Sequence, residues 1–327
     1  MKSKTLHILL LVVTLGLIYL DFTLHIEEPI LMSTFFGFDE GNVIFSQFRQ
    51  PRVLAAIFAG AGLSLAGLIM QTLFRNPLAG PYLVGITPGA SFGIAVMLFA
   101  QPLLSNLNLN NQFNILTASI LGSLFALFLQ LILNRGFEST TRLLLTGMVL
   151  SFLFAAGVDL LQNLGSFEQI KQFSLWGMGS FERVTATEIP LLVAPAILGL
   201  LFVLWNRFKL DAYLLGDIYA ISSGVNVKSI RRMMIWTGAI ISGWITAYCG
   251  PVSFVGLIAP HIAKQICKSE SHVKILFPSI LWGIFLCVTA DLLAHNLIPG
   301  ITLQVNAICA IIGAPILIYS FSKKHFQ

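Results

Sequence analysis

The sequence predicts an all-α, polytopic membrane protein with about ten transmembrane helices. Two observations predict this fold class. Of the 327 residues, 56% are hydrophobic and only 10% are charged, whereas an average soluble domain carries roughly 25% charged residues. The apolar residues also form long runs that are separated by short polar segments. A soluble fold cannot bury this much apolar surface, so membrane lipid is the solvent that fits the chain.

Ten apolar stretches approach the length of about 20 residues that a transmembrane helix needs. They span approximately residues 6–24, 53–74, 82–101, 114–134, 143–163, 188–206, 233–249, 252–266, 275–294 and 304–321. The eighth stretch is short, and Pro251 and Pro260 bracket much of it. No soluble domain, linker or low-complexity segment interrupts the series, so residues 1–327 are predicted to form a single transmembrane domain.

The first stretch resembles a signal peptide, because Lys2 and Lys4 precede its apolar run. Asp21 follows that run directly, however, and no small-x-small cleavage motif is present. We therefore interpret the stretch as an uncleaved first helix.

The basic residues indicate the orientation of the helices. With the N-terminus inside, the outer loops hold four of the 19 Lys and Arg residues, namely Arg49, Arg52, Lys171 and Arg183. The other fifteen fall in inner segments, as the positive-inside rule requires, and both termini are predicted to be cytoplasmic. Because the basic residues occupy short gaps between apolar runs, the net charge of +5 reflects membrane topology and not a nucleic-acid partner.

Several kinds of site are excluded or disfavoured by the residues. The four cysteines lie in or beside apolar runs, and the six histidines lack metal-ligand spacing, so no metal site is predicted. The chain has no G-x-x-x-x-G-K-[ST] loop for ATP and no H-E-x-x-H motif. Ser180 and His261 are predicted on opposite sides of the membrane, which argues against an intramembrane enzyme. An ion-gradient-driven secondary transporter stays open as the alternative, although buried charged relays are few.

The strongest motif follows the second apolar stretch. Residues 71–90 read Q-T-L-F-R-N-P-L-A-G-P-Y-L-V-G-I-T-P-G-A, and their three prolines beside a polar Arg-Asn pair predict a rigid turn at the cytoplasmic face. The block resembles the signature of the FecCD-type family of ABC transporter permeases, approximately Q-x-x-x-R-N-P-L-A-x-P-x-x-L-G-x-x-x-G-A. The matching residues include Gln71, Arg75, Asn76, Pro77 and Gly85, while Val84 replaces the usual Leu.

Further blocks resemble the same family in the same order. They are R-Q-P-R (49–52), L-L-L-T-G-M-V-L-S (143–151), L-L-G-D-I-Y-A-I-S-S-G-V-N-V (214–227), G-P-V-S-F-V-G-L-I-A-P-H-I (250–262), A-D-L-L-A (290–294) and I-G-A-P (312–315). The resemblance implies a type II ABC importer permease fold. It also implies import of iron-siderophores, haem or vitamin B12 across the bacterial cytoplasmic (inner) membrane, with ferric siderophores favoured.

The resemblance also assigns roles to individual residues. It implies an ATPase-coupling loop that forms short helices, with a solvated loop as the alternative; its matching residues are Leu215, Gly216, Asp217, Ala220, Gly224 and Val225. Arg49 and Arg52 match arginines that receive glutamates from a binding protein, with lipid-headgroup anchors as the alternative. His295 stands where the family often has an Arg at the same docking face. A histidine there would weaken the contact or make it pH-sensitive.

The partners implied by the resemblance are a second permease copy, two ATP-binding-cassette ATPase subunits that carry ATP and Mg, and an extracytoplasmic binding protein. The chain itself is then a transport subunit that binds no cofactor and is not an enzyme. Thr302, Gln304 and Asn306 depart from the family's E-x-P-x-G pattern at the predicted outer mouth. Asp159 and Asp291 are embedded in apolar sequence near the outer helix ends, where a capping or packing role competes with substrate contact.

Overall fold

The protein is almost entirely helical. The computed structural model describes residues 2–23, 45–99, 111–134, 140–298 and 301–324. The described residues form twelve α-helices: α1 (Lys2–Thr23), α2 (Gln50–Phe74), α3 (Ile86–Phe99), α4 (Asn111–Leu133), α5 (Thr140–Gln162), α6 (Phe167–Gly177), α7 (Ile189–Leu214), α8 (Asp217–Ser222), α9 (Val227–Cys249), α10 (Val255–Cys267), α11 (His272–Asn296) and α12 (Val305–Lys324). These residues form no sheet; Ile298 and Ile301 make one isolated antiparallel bridge.

Each of the ten predicted stretches coincides with one of the ten longer helices, so the predicted fold class is confirmed. Residues 24, 100 and 101, at the ends of the first and third predicted stretches, lie outside the described residues. Within the described ranges, six helices are long and apolar enough to cross a membrane: α1, α2, α4, α5, α7 and α11. Helix α3 and the segment Val305–Tyr319 of α12 are apolar but shorter.

Two further helices, α6 and α8, lie between the long ones. Helix α6 was not predicted, although the residues at its start form a capping box. Ser166 caps the helix by accepting a hydrogen bond from the main-chain N–H of Gln169, and the Gln169 side chain accepts one from the main-chain N–H of Ser166. This reciprocal capping box satisfies two donors that a helix N-terminus otherwise leaves unpaired.

Helix α2 is the most buried helix, and it packs against α7, α9, α10 and α11. Small residues allow these close approaches. A Cβ atom added at Gly60 would lie 2.7 Å from the carbonyl carbon of Gly283 in α11, and a Cβ atom added at Gly256 in α10 would lie 2.7 Å from the main-chain oxygen of Leu63. Glycine at these positions lets helix backbones come into direct contact within the bundle.

The two ends of α2 define the two ends of the bundle. Its 25 residues correspond to about 37 Å at 1.5 Å per residue. We call the end where α2 begins the Arg52 end and the end where it stops the Arg75 end. Helix α11 connects the same two ends, because His272 in its first turn contacts Thr72 and Asp291 in its last turns contacts Arg52.

Candidate functional site at the two ends of the bundle

The predicted signature turn lies at the Arg75 end. Arg75 ends α2 in the left-handed conformation (φ 48°, ψ 38°). Asn76 stabilises the turn that follows, because its side-chain oxygen accepts a hydrogen bond from the main-chain N–H of Leu78 at 2.9 Å. Gln71 donates to the main-chain oxygen of Leu257 at 2.9 Å, and this bond ties the turn to α10. Gly85 has a positive φ of 79°, which favours glycine.

Asp217 binds two arginines at this end. Its Oδ1 lies 2.5 Å from an Arg75 guanidinium nitrogen, and its Oδ2 lies 2.5 Å from an Arg231 guanidinium nitrogen. Partial burial raises the pKa of Asp217, but the hydrogen bond from Arg75 and the charge of Arg231 outweigh burial and hold the pKa below its ordinary value. One carboxylate therefore joins the end of α2, the start of α8 and the first turns of α9.

Tyr213 fills the space between the two arginines. The Arg75 guanidinium lies 4.2 Å from the centre of the Tyr213 ring, within the range of a cation–π interaction. The Tyr213 hydroxyl donates to the main-chain oxygen of Leu73 at 3.0 Å and accepts from Arg231 Nε at 2.9 Å. The sequence analysis missed Tyr213 and Arg231 because both lie outside the blocks that resemble the family.

The predicted coupling loop is folded as the short helix α8 between two glycines with positive φ. Gly216 (φ 117°) precedes the helix and Gly224 (φ 79°) follows it. Ala220 is fully buried, and its main-chain oxygen accepts a hydrogen bond from Val225. Leu215 and Ile218 are 67% and 88% exposed. The loop thus has a buried inner side that fixes it and an apolar outer side that faces away from the bundle.

A chain of hydrogen bonds at the same end connects three long helices. The Asp211 carboxylate lies 2.5 Å from His272 Nδ1 and accepts from the His272 main-chain N–H at 2.9 Å. The other ring nitrogen of His272 lies 2.8 Å from the Thr72 hydroxyl. Asp211 thereby caps α11 from α7, and His272 extends the connection to the last turn of α2, three residues before Arg75.

The Arg52 end holds a buried cluster of charged groups. Arg52 lies 2.7 Å from Asp21 in α1 and 3.0 Å from Asp291 in α11. Both aspartate side chains are fully buried, and the Arg52 side chain is 13% exposed. The prediction that Arg52 is a docking residue stays a prediction, and the structure adds an internal ion-pair role. For Asp291, the contact with Arg52 supports the packing alternative; Asp159 is exposed.

His295 joins this cluster to the loop between α6 and α7. Its Nε2 lies 2.6 Å from a carboxylate oxygen of Glu182, and its Nδ1 lies 2.8 Å from the main-chain oxygen of Asp291. The hydrogen bond from His295 lowers the pKa of Glu182 below its ordinary value. Arg49, at intermediate exposure, lies one turn before Arg52. Glu182 was missed because nothing in its local sequence indicates a contact 113 residues away.

The three residues that depart from the family pattern have different surroundings. Asn306 accepts a hydrogen bond from the main-chain N–H of Ser253 at 3.0 Å, which connects α12 to the segment before α10. Thr302 is exposed, as is Gln304. Among the described residues, no group of three or more His, Cys, Asp or Glu side chains is arranged to hold a metal ion.

A mainly apolar cavity of about 310 Å³ lies between the signature block and α10. Its walls include Tyr82, Thr246, Phe254 and Leu257. Phe254 adopts a positive φ of 67° although it is not glycine, a conformation that a bulky residue adopts only where the surrounding structure imposes it. A second, more polar groove of about 580 Å³ lies at the Arg75 end and is lined by Arg75, Lys264 and Glu270 among others.

Comparison with known proteins decides the family. The model of the FecCD transport family matches residues 8–323, nearly the whole chain. The chain belongs to the FecCD transport family. Members of this family are permease subunits of ABC importers, so the chain is a transport component and not an enzyme. Its apolar helices and this membership make it a multi-pass membrane protein.

Individual FecCD relatives cover most of the chain. The hemin transport system permease protein HmuU of Yersinia pestis is 33% identical over 292 residues, which cover 87% of this chain and 84% of HmuU. The iron(3+)-hydroxamate import system permease protein FhuG of Bacillus subtilis is 29% identical over 338 residues, which cover 99% of this chain and all of FhuG.

A solved structure shares the same fold. It is an inward-facing conformation of an ABC transporter assigned to the metal-chelate type, and it superposes with a TM-score of 0.84 at 27% sequence identity. The match covers 97% of this chain and 99% of that chain. The type II ABC importer permease fold predicted from the motifs is therefore confirmed.

Proposed function

We propose that this FecCD permease carries a bulky iron chelate across the bacterial cytoplasmic membrane, and that a ferric siderophore is its cargo. The main support for the importer function is the position of helix α8. Its apolar outer side is exposed, and its Asp217 is bound by Arg75 and Arg231. The names of HmuU and FhuG, which refer to hemin and iron(3+)-hydroxamate, support an iron complex. Haem and cobalamin are the alternative cargoes.

The partners follow from the two ends of the bundle. An ATP-binding-cassette ATPase docks on α8 at the Arg75 end, which faces the cytoplasm together with both termini. ATP and Mg²⁺ reside on that subunit. A binding protein docks at the Arg52 end, where Arg49 is partly exposed. A second copy of this permease completes the pathway, and lipid surrounds the pair.

The mechanism uses the rigid connections at the Arg75 end. ATP binding closes the two ATPase subunits and displaces α8. Because Asp217 joins α8 to Arg75 of α2 and Arg231 of α9, displacement of α8 moves both long helices. Glycine-mediated contacts between α2 and α11 then carry the movement toward the Arg52 end.

Uptake by proteoliposomes tests this function. The permease is reconstituted with the ATPase and binding protein that are encoded beside it, and uptake of a ferric siderophore, haem and cobalamin is measured in parallel. We expect ATP-dependent accumulation of the ferric siderophore. Accumulation of haem or cobalamin instead would correct the cargo, and accumulation driven by an ion gradient without ATP would support a secondary transporter.

A further inference from the structure

We propose that His295 is a positioning residue whose doubly protonated imidazole ring holds the Glu182 side chain, in the loop between α6 and α7, against α11. This inference rests on the proposed function, because the loop belongs to the end at which we place the binding protein. It adds a regulation of that end, namely that docking of the binding protein weakens as the pH rises.

The contacts of the ring determine its protonation. Nδ1 lies 2.8 Å from the main-chain oxygen of Asp291, and Nε2 lies 2.6 Å from a carboxylate oxygen of Glu182. A main-chain carbonyl oxygen and an ionised carboxylate can only accept hydrogen bonds. Both ring nitrogens must therefore donate, and only the imidazolium has two N–H groups. A neutral ring leaves one of these short contacts without a proton.

The charges around the ring favour the same form. Among the residues that the structure describes, the titratable or charged groups near it are Glu182 from the loop, Asp291 from its own helix, Arg52 from α2 and Asp21 from α1. These are three carboxyl groups and one guanidinium. Arg52 is shared between Asp21 and Asp291, and within the described part of the chain neither carboxylate oxygen of Asp291 has a hydrogen-bond partner. The imidazolium places a positive charge 3.5 Å from Asp291 Oδ1.

The link through Glu182 positions a loop that is otherwise held by packing. Phe181 is fully buried, and the main-chain N–H of Ser180 donates to the main-chain oxygen of Cys249 at 2.9 Å. The Glu182 side chain, in contrast, is 48% exposed, and its contact with His295 attaches this part of the loop to α11. The loop leads from α6 into α7, and near its start the main-chain oxygen of Met178 accepts a hydrogen bond from the main-chain N–H of Asn306 at 3.4 Å.

Loss of one proton changes both geometry and charge. A neutral ring can donate to only one of its two acceptors, so the charged contact with Glu182 is weakened and the Glu182 side chain can turn away from α11. The Glu182 carboxylate also stays ionised without its cation, which adds uncompensated negative charge to the docking end. A binding protein that presents carboxylates to Arg49 is then repelled. Both changes act in the same direction, toward weaker docking at alkaline pH.

The pH dependence of docking tests the proposal. The full complex in lipid nanodiscs is titrated with the binding protein encoded beside it, from about pH 6 to about pH 9. His295→Arg keeps its positive charge throughout this range and serves as the reference at each pH, which removes the binding protein's own titration. We expect the affinity of the wild type relative to H295R to fall about tenfold across the range. H295Q should bind weakly at every pH, whereas His7→Gln should keep the wild-type pH profile.

Two results would overturn the proposal. One is an identical pH profile for the wild type and H295R, and the other is an E182Q variant that keeps the wild-type profile. A measurement that needs no partner keeps the proposal testable if docking itself fails. In permease labelled with ¹³C-histidine, E182Q should displace the titration midpoint of the His295 ring, with H295Q identifying its signal. An unchanged midpoint contradicts the proposal. Absence of docking at every pH with a displaced midpoint would instead contradict the proposed function.

Discussion

The ion pairs around Asp217 and around Arg52, at opposite ends of helix α2, combine charged groups in opposite proportions. At the Arg75 end, two guanidinium groups bind one partly exposed carboxylate, Asp217. At the Arg52 end, one guanidinium is shared by two fully buried carboxylates, Asp21 and Asp291. An excess of arginine over carboxylate keeps its charge at every physiological pH. Where buried carboxylates are in excess, the net charge of the cluster depends on whether the nearby His295 is protonated. The two ends should therefore respond differently to mutation and to pH.

The largest effect is expected from Asp217→Arg at the Arg75 end. The substitution removes the carboxylate that joins α2, α8 and α9 and places a third cation between Arg75 and Arg231. We expect loss of the ATPase on co-purification and uptake at background level. Asp217→Asn, which keeps the shape but not the charge, should retain part of both signals, and Lys209→Gln on the exposed side of α7 should retain both. Normal uptake by D217R would show that α8 is not the coupling element.

Arg52→Ala tests whether the Arg52 end depends on a single cation. Without the guanidinium, Asp21 and Asp291 are left buried with no arginine, which typically destabilises a protein by about 3–5 kcal/mol. The unfolding midpoint in detergent should fall accordingly. Arg52→Lys should lose less, because the ammonium keeps the charge but cannot contact both aspartates in a fork. A wild-type midpoint for R52A would show that the buried cluster does not stabilise the fold.

A smaller effect is expected from Asp211→Asn, which weakens the connection between α7, α11 and α2 at the same end as the ion pairs of Asp217. Asparagine can still accept a hydrogen bond from the His272 main-chain N–H but loses the charged contact with the ring. Because the capping hydrogen bond is retained, the loss of stability should stay below the roughly 1 kcal/mol that loss of a helix cap costs, and the unfolding midpoint should fall only slightly. A loss of stability as large as that of R52A would show that the Arg75 end contributes as much to the stability of the fold as the Arg52 end does.

No effect is expected when the pH dependence of ATPase association is measured. The pKa of Asp217 is lowered in the folded protein, since the arginine contacts outweigh its burial. Its stabilising contribution is therefore present above the ordinary pKa of an aspartate and is lost only as the pH falls through the lowered value. Association should be constant between about pH 6 and pH 9, in contrast to docking at the Arg52 end. A decline in that range would contradict the assignment.

Much of the fold follows from the sequence because lipid imposes simple rules. The ten helices were predictable from the length of apolar runs, and Arg75, Asn76 and Gly85 were found through their motif and turn chemistry. The partners of Asp217 were not predictable, since Tyr213 and Arg231 meet it only after α7, α8 and α9 have packed. The same holds for Asp21, Arg52, Asp291 and Glu182, which come from three helices and a loop. Long-range ion pairs leave no local pattern, and helix α6 was missed because its capping signal is short.

Cross-linking from α8 tests the central claim most directly. Ile218, which is 88% exposed, is replaced by Cys in a Cys267→Ser background, and the reconstituted complex is treated with a short bifunctional reagent. We predict a cross-link between Cys at position 218 and the ATPase subunit, with a yield that changes when ATP is added. A complex that transports with ATP but gives no cross-link from this position would contradict the claim that α8 couples ATP hydrolysis to import.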